Sequence, residues 1–143
     1  MRFQRLVVVV LIVSVITAGG GFLAPGTAEA GPPRLATVVL TDDKDRKVEK
    51  TIFTPTTAKI YAVFTLADVP ARTPLKCVWI AEKTQVAPPN YKVDEVTLNV
   101  GGLITGGNCA LSKPTNGWPV GDYRVDMYLG DQLAHTARFI VKV

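Results

Sequence analysis

In "KIYAVFTLAD" every second side chain is apolar: Ile60, Ala62, Phe64 and Leu66 share one face, and Tyr61, Val63 and Thr65 share the other. A period of two with β-branched and aromatic enrichment specifies a strand with one face buried. The pattern recurs. "LKCVWIAEK" sets Leu75, Cys77, Trp79 and Ala81 on one side, and "YKVDEVTLNV" sets Val96, Leu98 and Val100 opposite Glu95, Thr97 and Asn99. A helix through Leu75, Val78 and Trp79 would carry Glu82 onto its apolar stripe and then meet Pro88 and Pro89, so a strand is the better reading of that segment.

Between these runs lie turn signals. "LATVVL" gives a first strand, "TDDKDRKVEK" a solvated turn, "VPARTP" a break, "GGLITGG" a loop or bulged edge, and "NCALS" a short strand. The final "YRVDMYLGDQLAHTARFIVKV" reads as a hairpin. A plain two-residue loop at Gly130 and Asp131 would oppose Met127 to Ala134 and scatter the apolar set. A three-residue loop, Gly130 to Gln132, or an equivalent bulge, keeps Tyr123 opposite Phe139, Val125 opposite Ala137 and Leu129 opposite Leu133. The sum is seven to eight short strands with no amphipathic helix, which predicts an all-β fold of two antiparallel sheets packed face to face.

The chain opens on Arg2 and Arg5, continues through "LVVVVLIVSVIT", and reaches "GTAEAGPP", in which Ala28 and Ala30 form a small-x-small cleavage pattern. This is the layout of a secretory signal peptide over residues 1–30, too short in its apolar run to cross a bilayer, with a single domain over residues 31–143. No cysteine near the cleavage point offers a lipid attachment site. The expectation is an exported protein, periplasmic or extracellular, with no membrane span after cleavage. Removal of residues 1–30 takes two arginines and one glutamate from a formal net charge of +4. The remaining charges alternate in sign, so nucleic acid is not an expected partner. Cys77 and Cys109 remain, and one disulfide between them is the simplest use of both in an oxidising compartment.

"GDYRV" has the form G-x-Y-x-V. It resembles the tyrosine corner that opens strand F of immunoglobulin-like domains, with Gly121 and Tyr123 in the corner positions. Trp79 is similar to the core tryptophan of strand C. Val125 stands where antibody domains carry the strand F cysteine, so a Cys77–Cys109 bridge is not the antibody one. From about Ile52 to Val141 the chain resembles bacterial exported domains in which F-x-P-x-T leads into strand B and W-P-x-G-x-Y-x-V into strand F. The resemblance implies an immunoglobulin-like antiparallel β-sandwich and says little of function, since this architecture hosts many activities.

Few residues offer chemistry. His135 is the single histidine, and no carboxylate or exposed serine is placed by pattern to form a triad with it, so no catalytic residue is expected. Two cysteines and one histidine far apart lack zinc spacing. Asp42, Asp43 and Asp45 are interleaved with Lys44 and Arg46 and lack the glycine and distal glutamate of a calcium loop, so neither metal nor cofactor is expected. "TPTT" resembles a loop motif of small exported immunoglobulin-like inhibitors of cysteine proteases, but their R-P-W loop is absent; Trp118 precedes its proline. "KTQVAPPNY" and "TNGWPVG" could present a partner surface through Tyr91 and Trp118, with Tyr128 a third candidate, while Trp118 could instead cover the bottom of the sandwich. The expected function is a non-enzymatic binding module for a protein or envelope component. A protease inhibitor or chaperone-like accessory, and a structural or adhesive envelope protein, are the alternatives. Oligomeric state is open.

Overall fold

The computed structural model describes residues 31–143; the expected signal peptide lies outside the described residues. Eight strands follow in chain order: β1 Arg34–Thr41, β2 Ile52–Phe53, β3 Lys59–Ala67, β4 Thr73–Thr84, β5 Tyr91–Val100, β6 Gly106–Ser112, β7 Gly121–Leu129 and β8 Gln132–Val141. They form two sheets, β1-β3-β6 and β2-β8-β7-β4-β5, antiparallel throughout except where β2 runs parallel to β8. The fold is an immunoglobulin-like β-sandwich. Among the described residues, no helix is long and apolar enough to cross a membrane.

Alternation places the core. Ile60, Ala62 and Phe64 of β3 face Leu75, Cys77, Trp79 and Ala81 of β4, and Tyr123, Val125 and Met127 of β7 complete the second layer. Phe139 is the hub of its aromatic part. Tyr123 stacks on it at 5.1 Å, and Phe53 and Trp79 meet it edge-on at 5.5 and 6.2 Å. The Cys77–Cys109 disulfide ties β4 to β6, and so one sheet to the other, with Cα atoms 6.6 Å apart. Both sulfurs are therefore committed to each other.

Two local readings change in the structure, one short strand is added, and the alternative left open at the final hairpin resolves to the bulge. The "VPARTP" break ends at Arg72, and Thr73 and Pro74 already belong to β4, where Pro74 pairs with Asn99 and its carbonyl accepts the amide of Gly130. Gly106 and Gly107 are in β6 rather than in the loop. Glycine is kept there for space, because a Cβ on Gly107 would lie 3.2 Å from the Phe64 ring. A two-residue strand, β2, docks on Ile140 and Val141. Finally, the β7–β8 turn is two-residue, with Leu129 opposite Gln132, and a bulge after Met127 restores the apolar register. Tyr123 lies opposite Phe139, Val125 opposite Ala137 and Met127 opposite His135, so the bulge does what a longer loop would have done.

Candidate groove between two loops

At one end of the sandwich the β4–β5 loop and the β6–β7 loop stand apart and leave a groove of about 630 Å³. Val86, Pro88 and Tyr91 form one wall and Pro114, Trp118 and Pro119 the other, with Ala81 and Tyr123 at the floor. Among the described residues, no Asp, Glu, His, Lys, Arg or Cys lines it.

Each wall is held from beneath. The amide of Asn90 donates to the Glu82 carbonyl at 3.1 Å and closes the β4–β5 hairpin. Arg124 then pins that hairpin from the outer face of the sheet, its Nη1 donating to Asn90 Oδ1 at 2.9 Å and to Glu82 Oε1 at 3.3 Å. Its Nε donates to Asp126 at 3.1 Å, and Asp126 also accepts from the Thr136 hydroxyl at 2.9 Å. Burial opposes the Arg124 charge, but its hydrogen bonds to Asp126 and Glu82 outweigh that and raise its pKa above the ordinary value.

The second wall leans on "TPTT". The amide of Trp118 donates to the Pro55 carbonyl at 3.0 Å and its indole Nε1 to the Thr57 carbonyl at 2.7 Å. The threonine hydroxyls bond one another or the local main chain, with Thr54 3.1 Å from Thr56 and Thr57 accepting the Thr54 amide. This segment is a bracket for Trp118. Tyr123 donates its hydroxyl to the Pro119 carbonyl, four residues upstream, at 2.5 Å, and its ring lies edge-on to Trp118 at 6.1 Å. Desolvation pushes the Tyr123 hydroxyl up to about 12 from its ordinary value of 10.0.

Tyr123→Phe is expected to lower stability by about 1 to 2 kcal/mol in urea unfolding near neutral pH, because the Pro119 carbonyl loses its partner. The folded state prefers the neutral phenol, so the contribution tied to its ionisation is complete below pH 10 and is lost as pH rises toward 12. The wild type should therefore lose stability over that interval more steeply than the phenylalanine variant.

The three aromatic candidates separate in space. Tyr91 is 53% exposed and Trp118 only 2%, and both line the groove. Trp118 thus sits beneath the surface as a covering side chain. Tyr128 is elsewhere, on the outer face of β7 beneath the Lys76 ammonium, 4.9 Å from its ring centre. Val86, 73% exposed, is the residue that side-chain type alone did not single out, since within "KTQVAPPNY" only the aromatic Tyr91 carried a contact signal.

The remaining candidates are dispersed. His135 is exposed on β8. Asp42 pairs with Lys50, Asp45 with Lys44, and Asp43 caps the turn by accepting the amides of Asp45 and Arg46. Among the described residues no three His, Cys, Asp or Glu side chains converge as a metal site would require.

The sequence matches no protein-family model and no curated protein sequence. Among solved structures it is similar to an immunoglobulin-like protein from Pseudomonas aeruginosa, at 19% identity and a TM-score of 0.48, over 78% of this chain and 93% of that one. It is also similar, at 12% identity and a TM-score of 0.48, to an alkylpurine DNA glycosylase from Pseudomonas fluorescens bound to DNA containing an abasic site analog, covering 78% of this chain and 30% of that one. Neither likeness carries a function across; the fold assignment rests on the sheet order and register described above.

Proposed function

We propose that this chain is an exported, non-enzymatic binding module of the cell envelope, and that a protein partner docks an apolar segment in the groove between the β4–β5 and β6–β7 loops. The observation that carries this reading is the character of the groove: Val86 and Tyr91 stand exposed beside buried Trp118 and Tyr123, and among the described residues no charged side chain lines it. Such a concavity favours apolar surface. General acid or base catalysis needs a titrating group near neutral pH, and the groove's tyrosine at its floor is pushed the other way. The signal-peptide pattern and the disulfide support export.

The test is site-specific photo-crosslinking in the native envelope, with the crosslinker placed in turn at Val86, at Tyr91 and at Leu103 in the β5–β6 loop. A single adduct is expected at the first two positions and none at the third, and Val86→Asp should reduce the adduct at position 91 at least tenfold without shifting the melting temperature. Equal labelling at all three positions, or none, would count against the groove. N-terminal sequencing of the same material should begin at Gly31; a chain retaining Met1 would count against export by cleavage.

A further inference from the structure

One end of the sandwich carries few charges. The lead into β1, the β3–β4 and β5–β6 connections and the β7–β8 turn meet there, because Arg34 pairs with Ala67, Thr73 with Val100, and the Pro74 carbonyl accepts the Gly130 amide. Of the charged side chains in these connections Asp68 is tied to Arg34 at 3.2 Å, which leaves Arg72 and Asp131. The opposite end differs: the segment from Asp42 to Lys50 alone carries eight charged residues. At the charge-poor end Leu103 is fully exposed, and Ile104 beside it and Leu133 near the start of β8 are exposed as well.

A single exposed leucine is ordinary on a folded domain. Two observations set this one apart. The first is the turn that holds it out: Gly101 and Ile104 exchange main-chain hydrogen bonds at 2.9 and 3.0 Å, and the Gly102 amide donates to the Val69 carbonyl at 3.0 Å. The turn is seated directly on the β3–β4 connection, since a Cβ on Gly101 would lie 1.9 Å from the Pro70 carbonyl oxygen. The second is where the chain enters. A Cβ on Gly31 would lie 3.0 Å from Asp68 Oδ2, so residue 31 is at this same end. Residues 18–30 alone separate it from the apolar run Leu6 to Thr17, a reach of at most about 45 Å. On the export reading such a leader is drawn into the membrane, and the end that carries Leu103 is the one it holds nearest the bilayer. The tip is convex and two side chains wide, far short of the roughly 800 Å² a side of a stable protein interface. Membrane attachment needs only apolar area to bury, with no complementary pocket.

We propose that this end of the sandwich docks on a lipid surface, with Leu103 and Ile104 entering the boundary between headgroups and acyl chains. The groove lies at the other end and stands or falls separately, since a lipid leaves no protein adduct at position 103. The probe is a vesicle of mixed phosphatidylethanolamine and phosphatidylglycerol, with and without brominated acyl chains. Trp79 and Trp118 are buried and give a constant background. In the chain isolated from the envelope, L103W should shift its emission to the blue on vesicles and be quenched by brominated chains at least threefold more than V48W, whose site is exposed at the charged end. L103D should lower the vesicle-bound fraction at least tenfold without moving the melting temperature, because the fully exposed Leu103 supports no packing. If the isolated chain still begins at Met1, the leader binds every variant alike, and the contrast between positions 103 and 48 decides. Equal quenching at the two positions, quenching at neither, or an unchanged bound fraction in L103D without the leader overturns the proposal. So does a wild-type dimer in sedimentation that L103D abolishes, because a second copy then covers the tip, and so does a protein adduct at position 103.

Discussion

Joint replacement of Cys77 and Cys109 by alanine is expected to lower stability by about 3.7 kcal/mol and the melting temperature by roughly 15 °C. The bridge spans a sequence separation of 32 residues, and opening it restores chain entropy to the unfolded state. Its position makes the loss global. β4 is an interior strand of the larger sheet and β6 an edge of the smaller, so the bond is a covalent cross-link between the two layers in addition to the main chain. Both cysteines are buried, and the alanines leave a small void in place of sulfur. The check is urea and thermal unfolding of the oxidised wild type beside the double variant. Reductant should bring the wild type to the variant's midpoint, and a difference below 1 kcal/mol would show that the bridge does not constrain the chain. Alkylation without reductant should leave both wild-type thiols unlabelled.

The sandwich was legible because burial in a sheet follows side-chain parity. Ile60, Ala62 and Phe64, or Leu75, Cys77, Trp79 and Ala81, alternate strictly and are buried as a set. Parity fails where a residue is chosen for backbone approach instead of burial. Gly106 and Gly107 read as loop because glycine weakens a strand in isolation, yet the neighbouring strand takes the space a side chain would need, through the Phe64 carbonyl oxygen at Gly106 and the Phe64 ring at Gly107. The hairpin showed the same limit. Apolar matching demanded one extra residue in the β7–β8 connection, but whether it sits in the turn or in a bulge changes no side chain's face near the core, so composition could not choose.

The candidate sites were legible in part, for a related reason. Exposed Tyr91, at the start of β5, and buried Trp118, in the β6–β7 loop, are both aromatic residues near prolines; what separates them is the pair of carbonyls at Pro55 and Thr57, some sixty residues upstream of the indole.

Gly121→Ala is expected to cost about 2 to 4 kcal/mol, more than removal of the neighbouring tyrosine hydroxyl. Two penalties coincide at this position. Its φ of +153° is a conformation that side chains of L residues rarely adopt, and a Cβ there would lie 2.1 Å from the Lys83 carbonyl oxygen and 3.0 Å from the Thr84 methyl. Neither neighbour is a flexible tip: Lys83 and Thr84 are the last ladder residues of β4 opposite β7, and the obstructing atom is main chain. Relief requires the start of β7 to move, and with it the Tyr123 to Pro119 bond and the Trp118 wall of the groove. Gly130→Ala separates the two penalties, because Gly130 has a φ of +59° but nothing within 4 Å of its added Cβ; that variant should lose only about 1 kcal/mol. Denaturant unfolding of the two alanine variants side by side makes the comparison. If Gly121→Ala is no more harmful than Gly130→Ala, the close approach of β7 to β4 is not what holds the corner, and the groove wall does not depend on it.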